Sequence, residues 1–297
     1  MSVAGWLTEP LAYPFMQRAC AATLAVGVAA PVAGVWATTR RLVYLTDAMS
    51  HAILAGVAAA ALLGASLLVG GLVAAMAMAL LVAVLVIHVR LSEDSAIGVA
   101  GQGLFALGII GVSQSADPRA LTHVLFGNPL TVTTADVIAE LVVAGLVVLA
   151  VATSLPLLVA TTFDPAHART LGVRTGLVDT AVIVALGLVV VISLTTVGVL
   201  MALTLCIAPA AAARLLSLRI RRVLFLAAGL GVAAGLAGLM ASYHLGLPAG
   251  PTVGVLAATE VALAALIRSA GTRFRHTGRV SPGERAAGPI HRSAGQR

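Results

Sequence analysis

Residues 177–216 read LVDTAVIVALGLVVVISLTTVGVLMALTLCIAPAAAARLL, and this stretch decides the class of the fold. A helix that crosses a bilayer needs about 20 mostly apolar residues. The stretch is long enough for two such helices, and no polar segment separates them. We therefore expect one spanning helix over 177–194 and another over 196–216, joined by a tight hairpin.

The rest of the chain has the same character. Apolar residues make up 60% of the 297 residues and charged residues 10%, against roughly 45–50% and 25% in ordinary soluble chains. Two cysteines, without a CxxC or Cys/His pattern, exclude a disulfide scaffold and a zinc knuckle. The composition predicts an all-α integral membrane protein, a bundle of eight or nine transmembrane helices. Besides the quoted pair, apolar runs of spanning length lie at 16–38, 47–67, 70–89, 96–115, 136–158, 222–243 and 250–268.

The 18 basic residues are all arginines, and their positions predict the orientation of the chain. With nine spans and an outside N-terminus, all of them except Arg18 and Arg119 fall on the cytoplasmic side, as the positive-inside rule requires. We therefore expect a short extracytoplasmic N-terminus at 1–15, a transmembrane domain at 16–268 and a disordered, Arg-rich cytoplasmic tail at 269–297.

Asp47 and His51 are the strongest candidates for a functional site. Ionisable groups inside a span are costly and are functional candidates for that reason. Their i, i+4 spacing places both on one helix face, with Cβ atoms about 5–6 Å apart. A carboxylate and an imidazole suit a divalent ion such as manganese, iron or zinc. The alternative is a hydrogen-bonded Asp–His pair that only ties two helices together.

Glu260 is a second intramembrane carboxylate, at a depth similar to that of the pair. It lies eight residues before Arg268, about 12 Å along a helix. A third metal ligand, a proton acceptor and a partner for an interior hydroxyl all fit this position. Cys206 and Met201 offer soft sulfur nearby, but such residues more often serve in packing.

Residues 164–172 predict a short surface helix between two spans. Asp164 stands at the N-cap position, Pro165 at the first helical position and Gly172 just beyond the end. Two turns are too short to cross a membrane, and their place is on the cytosolic face. This helix suits docking into a groove of a partner protein, whereas the simpler interpretation is an ordered loop.

The chain cannot build its own ATP site. Because it has no lysine, a Walker motif is excluded. The serine-hydrolase, zinc-protease and kinase signatures are absent as well. If transport is active, its energy must come from an ion gradient or from another subunit.

Taken in order, several segments resemble the membrane permease subunits of bacterial ABC importers for manganese, zinc or chelated iron. The resemblance runs from about Gly27 to Ile267. Each segment is short, and their shared order carries the likeness. They are 44–52 (YLTDAMSHA), 94–98 (DSAIG), 105–108 (FALG), 125–128 (LFGN), 163–165 (FDP), 207–214 (IAPAAAAR) and 247–251 (LPAGP).

The resemblance implies a permease fold related to that of the cobalamin and siderophore importers. It also implies a homodimer in the bacterial cytoplasmic membrane, a pair of cytosolic ABC ATPases and an extracytoplasmic metal-binding lipoprotein. Such a chain is a transport subunit and not an enzyme, binds no cofactor or nucleic acid, and uses ATP through its partner. Asp47 and His51 match the pathway residues of the family. The coupling helix that receives the ATPase matches residues Asp164, Pro165, Ala168, Leu171 and Gly172.

Two departures from the family pattern bear on the metal. Many manganese-type members have Pro-Gly where this chain has Ala55-Gly56, and zinc-type members often have a histidine where this chain has Gln102. The segment 103–108 is closer to manganese-type sequences, and loss of an imidazole disfavours zinc. We expect manganese, then zinc, then iron. The rival hypothesis is a proton-gradient-driven carrier that works without an ATPase, with Glu260 as the proton relay.

Overall fold

A computed structural model describes residues 9–114, 132–196 and 198–277 of the chain. Its helices are numbered here in chain order, and no strand occurs within these three ranges. They are α1 (Pro14–Thr39), α2 (Val43–Leu62), α3 (Leu67–Ile87), α4 (Glu93–Ser113), α5 (Thr134–Phe163), α6 (Pro165–Thr170), α7 (Thr175–Thr196), α8 (Val199–Leu216), α9 (Ile220–Leu245) and α10 (Ala249–Thr277).

The predicted fold class is confirmed. Eight of the described helices are long and apolar enough to cross a membrane, and α8 contributes a shorter apolar helix over Met201–Leu216. The predictions of eight and of nine transmembrane helices differ only in whether α8 is counted. The tight hairpin before α8 is also present, since α7 ends at Thr196 and Gly198 caps α8 with a φ of +80°. That backbone conformation costs glycine little and other residues much more.

The helices are arranged around α1. It packs against α5, α7, α8 and α9, while α10 closes the far side against α8 and α9. Small residues permit these contacts, as expected for helices in lipid. Gly34 lies directly against the backbone of Cys206 on α8, and Gly27 lies against Gly231 on α9. Any side chain at Gly34 would force α1 and α8 apart.

A second group is formed by α2, α3 and α4. Gly56 of α2 and Gly70 of α3 face each other closely, and Gly108 of α4 meets the backbone of α2 at Leu54 and Ala55. The two groups have separate apolar cores. Helix α7 contributes to both, and Leu42, in the link between α1 and α2, packs against both.

Several arginines lie at one end of the bundle, the arginine-rich end. Here α1, α5 and α8 finish and α7 begins, and the short helix α6 lies between α5 and α7. Arg214 of α8 donates a hydrogen bond to the Thr39 hydroxyl of α1 (2.7 Å), which shows that these two helix ends adjoin. Arg40, Arg41, Arg169 and Arg174 lie at the same end.

The last helix is longer than the span predicted for it. Helix α10 continues to Thr277, so the boundary that we place at residue 268 falls inside it. The segment 269–277 contains no proline to stop the helix. The remainder of the predicted tail, 278–297, and the first eight residues of the predicted N-terminal segment lie outside the described residues.

Candidate functional site

Helix α2 presents an open face that carries Asp47 and His51. Tyr44, Asp47, His51 and Ala55 follow one another at helical spacing and are all partly or fully exposed. The residues between them face inward and are buried in the core formed with α3, α4 and α7. The 3.6-residue period therefore places the two polar groups on the same side, as predicted. Counted from Val43, they stand about 6 Å and 12 Å along the helix.

The two side chains are close, but they are not bonded to each other. The Nε2 atom of His51 lies 3.9 Å from Oδ1 of Asp47, which is too long for a hydrogen bond. The Asp47 side chain is 48% exposed and that of His51 34% exposed. This geometry does not support a hydrogen-bonded tie between helices. Both groups keep donor electron pairs available for a ligand on the open side.

His51 is held in place from α4. Its ring meets the edge of Phe105, with ring centroids 5.1 Å apart and planes inclined at 66°, a favourable aromatic geometry. Helix α4 can approach so closely because Gly101 lies against Ala48 of α2. A larger side chain at Gly101 would move Phe105 away from the imidazole.

The hydroxyls on the same segment of α2 are already engaged. Ser50 donates to the Thr46 carbonyl oxygen (2.9 Å), and Thr46 donates to the Leu42 carbonyl oxygen (2.8 Å). Both side chains are buried. Because their hydrogen bonds are made inside the helix, these groups stabilise the local backbone and do not add to the open face.

Glu260 does not lie beside the pair in a single chain. It belongs to α10, which packs mainly on α8 and α9, whereas α2 packs mainly on α3 and α4. Its Oε2 atom is buried and has no hydrogen-bond partner. Within the three described ranges, no group of three His, Cys, Asp or Glu side chains could hold a metal ion. The sequence alone does not show which helices pack against α10, so it could not reveal that Glu260 lies away from Asp47 and His51.

The two sulfur residues are core residues. Met201 and Cys206 are fully buried in the cluster around α1, and Cys206 packs against Gly34. Their positions agree with the packing role that we expected.

Glu140 is a residue that sequence reasoning missed. It lies on α5, is 1% exposed and borders a small cavity between α1, α5 and α7, together with Ser193. A carboxylate within the predicted span 136–158 was the available signal.

The short helix α6 has the predicted caps. The Asp164 carboxylate accepts a hydrogen bond from the backbone N–H of His167 (2.9 Å), Pro165 opens the helix, and Gly172 follows it with a φ of +80°. Of the residues assigned to partner docking, Asp164, Pro165, Leu171 and Gly172 are exposed. Ala168 is buried against the bundle, so it orients the helix from behind.

Comparison with known proteins identifies the family. The family model described as "ABC 3 transport family" matches residues 12–269. The chain belongs to this family. ABC 3 transport proteins are multi-span membrane proteins, in agreement with the helices described above.

The ABC 3 chain is similar to several curated proteins along most of its length. The manganese transport system membrane protein MntC of Halalkalibacterium halodurans is 34% identical over 255 residues, which cover 86% of this chain and 87% of that protein. The chelated iron transport system membrane protein YfeD of Yersinia pestis is 31% identical over 252 residues, with 85% of each chain covered.

Solved structures share the architecture. The structure of PsaBC from Streptococcus pneumoniae in complex with a Fab matches the ABC 3 chain with a TM-score of 0.84 and 28% identity, and covers 89% of this chain and 95% of the other. An inward-facing structure assigned to the metal-chelate type of ABC transporter matches with a TM-score of 0.68. At 15% identity, the second likeness supports the fold alone.

Proposed function

We propose that this chain is the permease subunit of an ATP-driven ABC importer that moves a divalent transition metal, preferably manganese, across the bacterial cytoplasmic membrane. The observation that carries the proposal is the open Asp47/His51 pair on α2. A carboxylate and an imidazole stand 3.9 Å apart, without a mutual hydrogen bond, on a partly exposed face of a membrane helix.

The pair is half of a coordination site. Two protein ligands are too few to strip a divalent ion of its water, since manganese and related ions usually take four to six ligands. A second copy of the chain would bring a second Asp47 and His51 to the same axis. We therefore propose a homodimer in which the pathway lies between the open faces of two α2 helices. The affinity of such a site must stay modest, because tight binding would slow release during transport.

Manganese is the preferred cargo on chemical grounds and by likeness. Its oxygen and nitrogen preference fits a carboxylate–imidazole set. The two relatives compared above carry manganese and chelated iron in their names. Zinc and iron are the competing cargoes, and direct competition ranks the three ions.

The energy source in this proposal is a cytosolic ATPase pair that docks on α6. The chain has no lysine and so no Walker site of its own. The exposed surface of α6 and its flanking residues, including Asp164 and Leu171, offers the contact. The arginine-rich end then faces the cytoplasm, with the N-terminus outside, and an extracytoplasmic lipoprotein delivers the metal from the opposite side. ATP-driven closure changes which side of the membrane reaches the pair.

Uptake of radioactive manganese by cells that produce the chain with its ATPase and lipoprotein tests the site. Asp47→Ala should reduce uptake by more than the roughly 10–100-fold that loss of an outer-shell partner costs a metal site. Membrane abundance should stay normal. Glu93→Gln, which alters an exposed carboxylate on the first turn of α4, is the matched control. Unchanged uptake in Asp47→Ala would remove the pair from the pathway.

A second measurement separates the ABC mechanism from the gradient-driven alternative. The isolated chain is placed in liposomes under a proton gradient, without ATPase. We expect no manganese uptake until the ATPase and ATP are supplied. Uptake driven by the gradient alone would contradict the proposal.

A further inference from the structure

Arg40 forms a polar cluster at the arginine-rich end that the transport site does not include. It is the C-cap residue of α1, and its side chain is only 8% exposed. In the sequence, Arg40 is one of the arginines whose positions predict the orientation of the chain. Its contacts show a more specific arrangement.

The guanidinium of Arg40 bonds to two other helices at once. Its Nε donates to the Thr162 hydroxyl (3.0 Å), and its Nη2 donates to the Thr161 hydroxyl (2.8 Å). Its Nη1 forms an ion pair with Oδ1 of Asp179. Thr161 and Thr162 belong to the last turn of α5, and Asp179 belongs to the start of α7. The planar fork of arginine suits this geometry, because its donors point in fixed directions.

The acceptors are oriented by their own helix. The Thr161 hydroxyl donates to the Leu157 carbonyl oxygen (2.9 Å), and the Thr162 hydroxyl donates to the Leu158 carbonyl oxygen (2.6 Å). Each hydroxyl therefore directs a lone pair toward Arg40. Each of the three guanidinium nitrogens of Arg40 therefore has an acceptor, unlike the Asp47/His51 pair.

Arg40 joins the two helices that flank α6, at the end of α5 and the start of α7. Thr162 lies three residues before Pro165, where α6 begins, and α7 follows α6 after a short turn. A displacement of α6 must therefore move the ends of α5 or α7, and both are bonded to Arg40. An open cleft borders this cluster, between α5, α7 and the link from α1 to α2.

From Arg40 the chain leads directly to the candidate site. Arg41 has a φ of +61°, and the backbone N–H of Leu42 donates to the Ala37 carbonyl oxygen (2.8 Å), which fixes a tight turn. The Leu42 carbonyl oxygen then accepts hydrogen bonds from the backbone N–H and the hydroxyl of Thr46. The next residue is Asp47. The segment between Arg40 and Asp47 is therefore short, and hydrogen bonds within the segment and to the end of α1 hold it.

We propose that Arg40 is a positioning residue that transmits movement of α6 to Asp47 and His51, a role that rests on the proposed function. The Arg40 cluster connects the ends of α5 and α7 that flank α6 to the end of α1. The turn at residues 41 and 42 then transmits a displacement of these ends to α2. Loss of this tie leaves ATPase docking intact, because Arg40 belongs to the end of α1 and is almost fully buried, so it is not part of the exposed surface of α6. It uncouples ATP hydrolysis from metal movement.

The test is the number of manganese ions imported per ATP hydrolysed by the complete complex in liposomes. Arg40→Gln should retain the ATPase during purification and should hydrolyse ATP within about twofold of the wild-type rate, while import per ATP falls about tenfold, toward the lower end of the usual range of coupling between sites. Arg40→Lys, which keeps the charge but can no longer fork to both threonines, should show an intermediate ratio.

Two controls separate coupling from general damage. Arg214→Gln removes another arginine hydrogen bond to the last turn of α1, at Thr39, without touching α5 or α7; its ratio should stay at the wild-type value. Asp164→Arg disrupts the cap of α6 and should lose ATPase association, which Arg40→Gln keeps. If Arg40→Gln does not assemble, the paired change Thr161→Val with Thr162→Val, which keeps the ion pair, replaces it and should lower the ratio.

The outcomes are distinct. A wild-type ratio in an assembled Arg40→Gln complex, or in the paired threonine variant, overturns the role of Arg40 and leaves the proposed function standing. A wild-type complex that hydrolyses ATP but imports none of manganese, zinc and iron refutes the proposed function itself. An equal fall in ratio for Arg214→Gln would show that any loosening of α1 has the same effect, and that Arg40 has no special part.

Discussion

Arg40 and the Asp47/His51 pair differ in their bonding: Arg40 is bonded to other helices, whereas Asp47 and His51 are not bonded to each other. Arg40 uses three donors on three acceptors from two other helices. Asp47 and His51 follow seven and eleven positions later in the chain, and they do not bond to each other. In a membrane, a polar group with no partner is costly. The bonded Arg40 cluster therefore stabilises the fold, whereas the Asp47/His51 pair contributes less to stability and stays accessible.

The largest expected contrast is in stability. Arg40→Ala removes charge-assisted hydrogen bonds worth roughly 1.5–3 kcal/mol, and part of this is offset because Asp179 is 56% exposed and regains water. We expect a clear fall in melting temperature for Arg40→Ala in detergent and none for Asp47→Ala. Scanning fluorimetry of the purified proteins measures both. Equal melting temperatures would remove the distinction between the two regions.

A smaller effect is expected where α4 supports the open pair. Phe105→Leu keeps most of the apolar volume but removes the ring edge from His51. Such aromatic contacts contribute about 0.5–1.5 kcal/mol, so manganese uptake should fall about two- to tenfold. The control is Leu107→Ala, a change on the exposed side of α4. Uptake that is the same in both variants would show that the imidazole needs no support from α4.

The smallest effect should come from a hydroxyl that looks functional in the sequence. Ser50 directly precedes His51, but it bonds to the Thr46 carbonyl oxygen inside its own helix. We expect Ser50→Ala to lower stability by no more than about 1 kcal/mol, the usual net contribution of one hydrogen bond, with uptake near the wild-type level. A large loss of uptake would mean that the open face extends around the helix to Ser50.

Local signals predicted much of this structure. The apolar run at 177–216 predicted two helices and their hairpin, and capping residues predicted α6. The i, i+4 spacing placed Asp47 and His51 on one face. These features depend on residues near each other in the chain.

Features that depend on distant residues were not accessible from the sequence. The partners of Arg40 lie more than 120 positions away, at Thr161, Thr162 and Asp179. Glu140 is buried only because α1 and α7 cover its helix there. The position of Glu260 away from α2 likewise follows from the packing of α10 on α8 and α9. One sequence gives the period of each helix but not the helix that faces it.

The glycine contacts have a consequence for the motion of the bundle. Gly34 holds α1 to α8, Gly27 holds α1 to α9, and Gly56 with Gly108 joins α2 to α3 and α4. None of these backbone contacts can stretch without losing its dispersion energy. A transport movement that preserves these contacts would move α2, α3 and α4 together as one rigid group. Arg41 and Leu42 would then form the hinge of this group, and Asp47 and His51, the proposed metal ligands, lie close to that hinge.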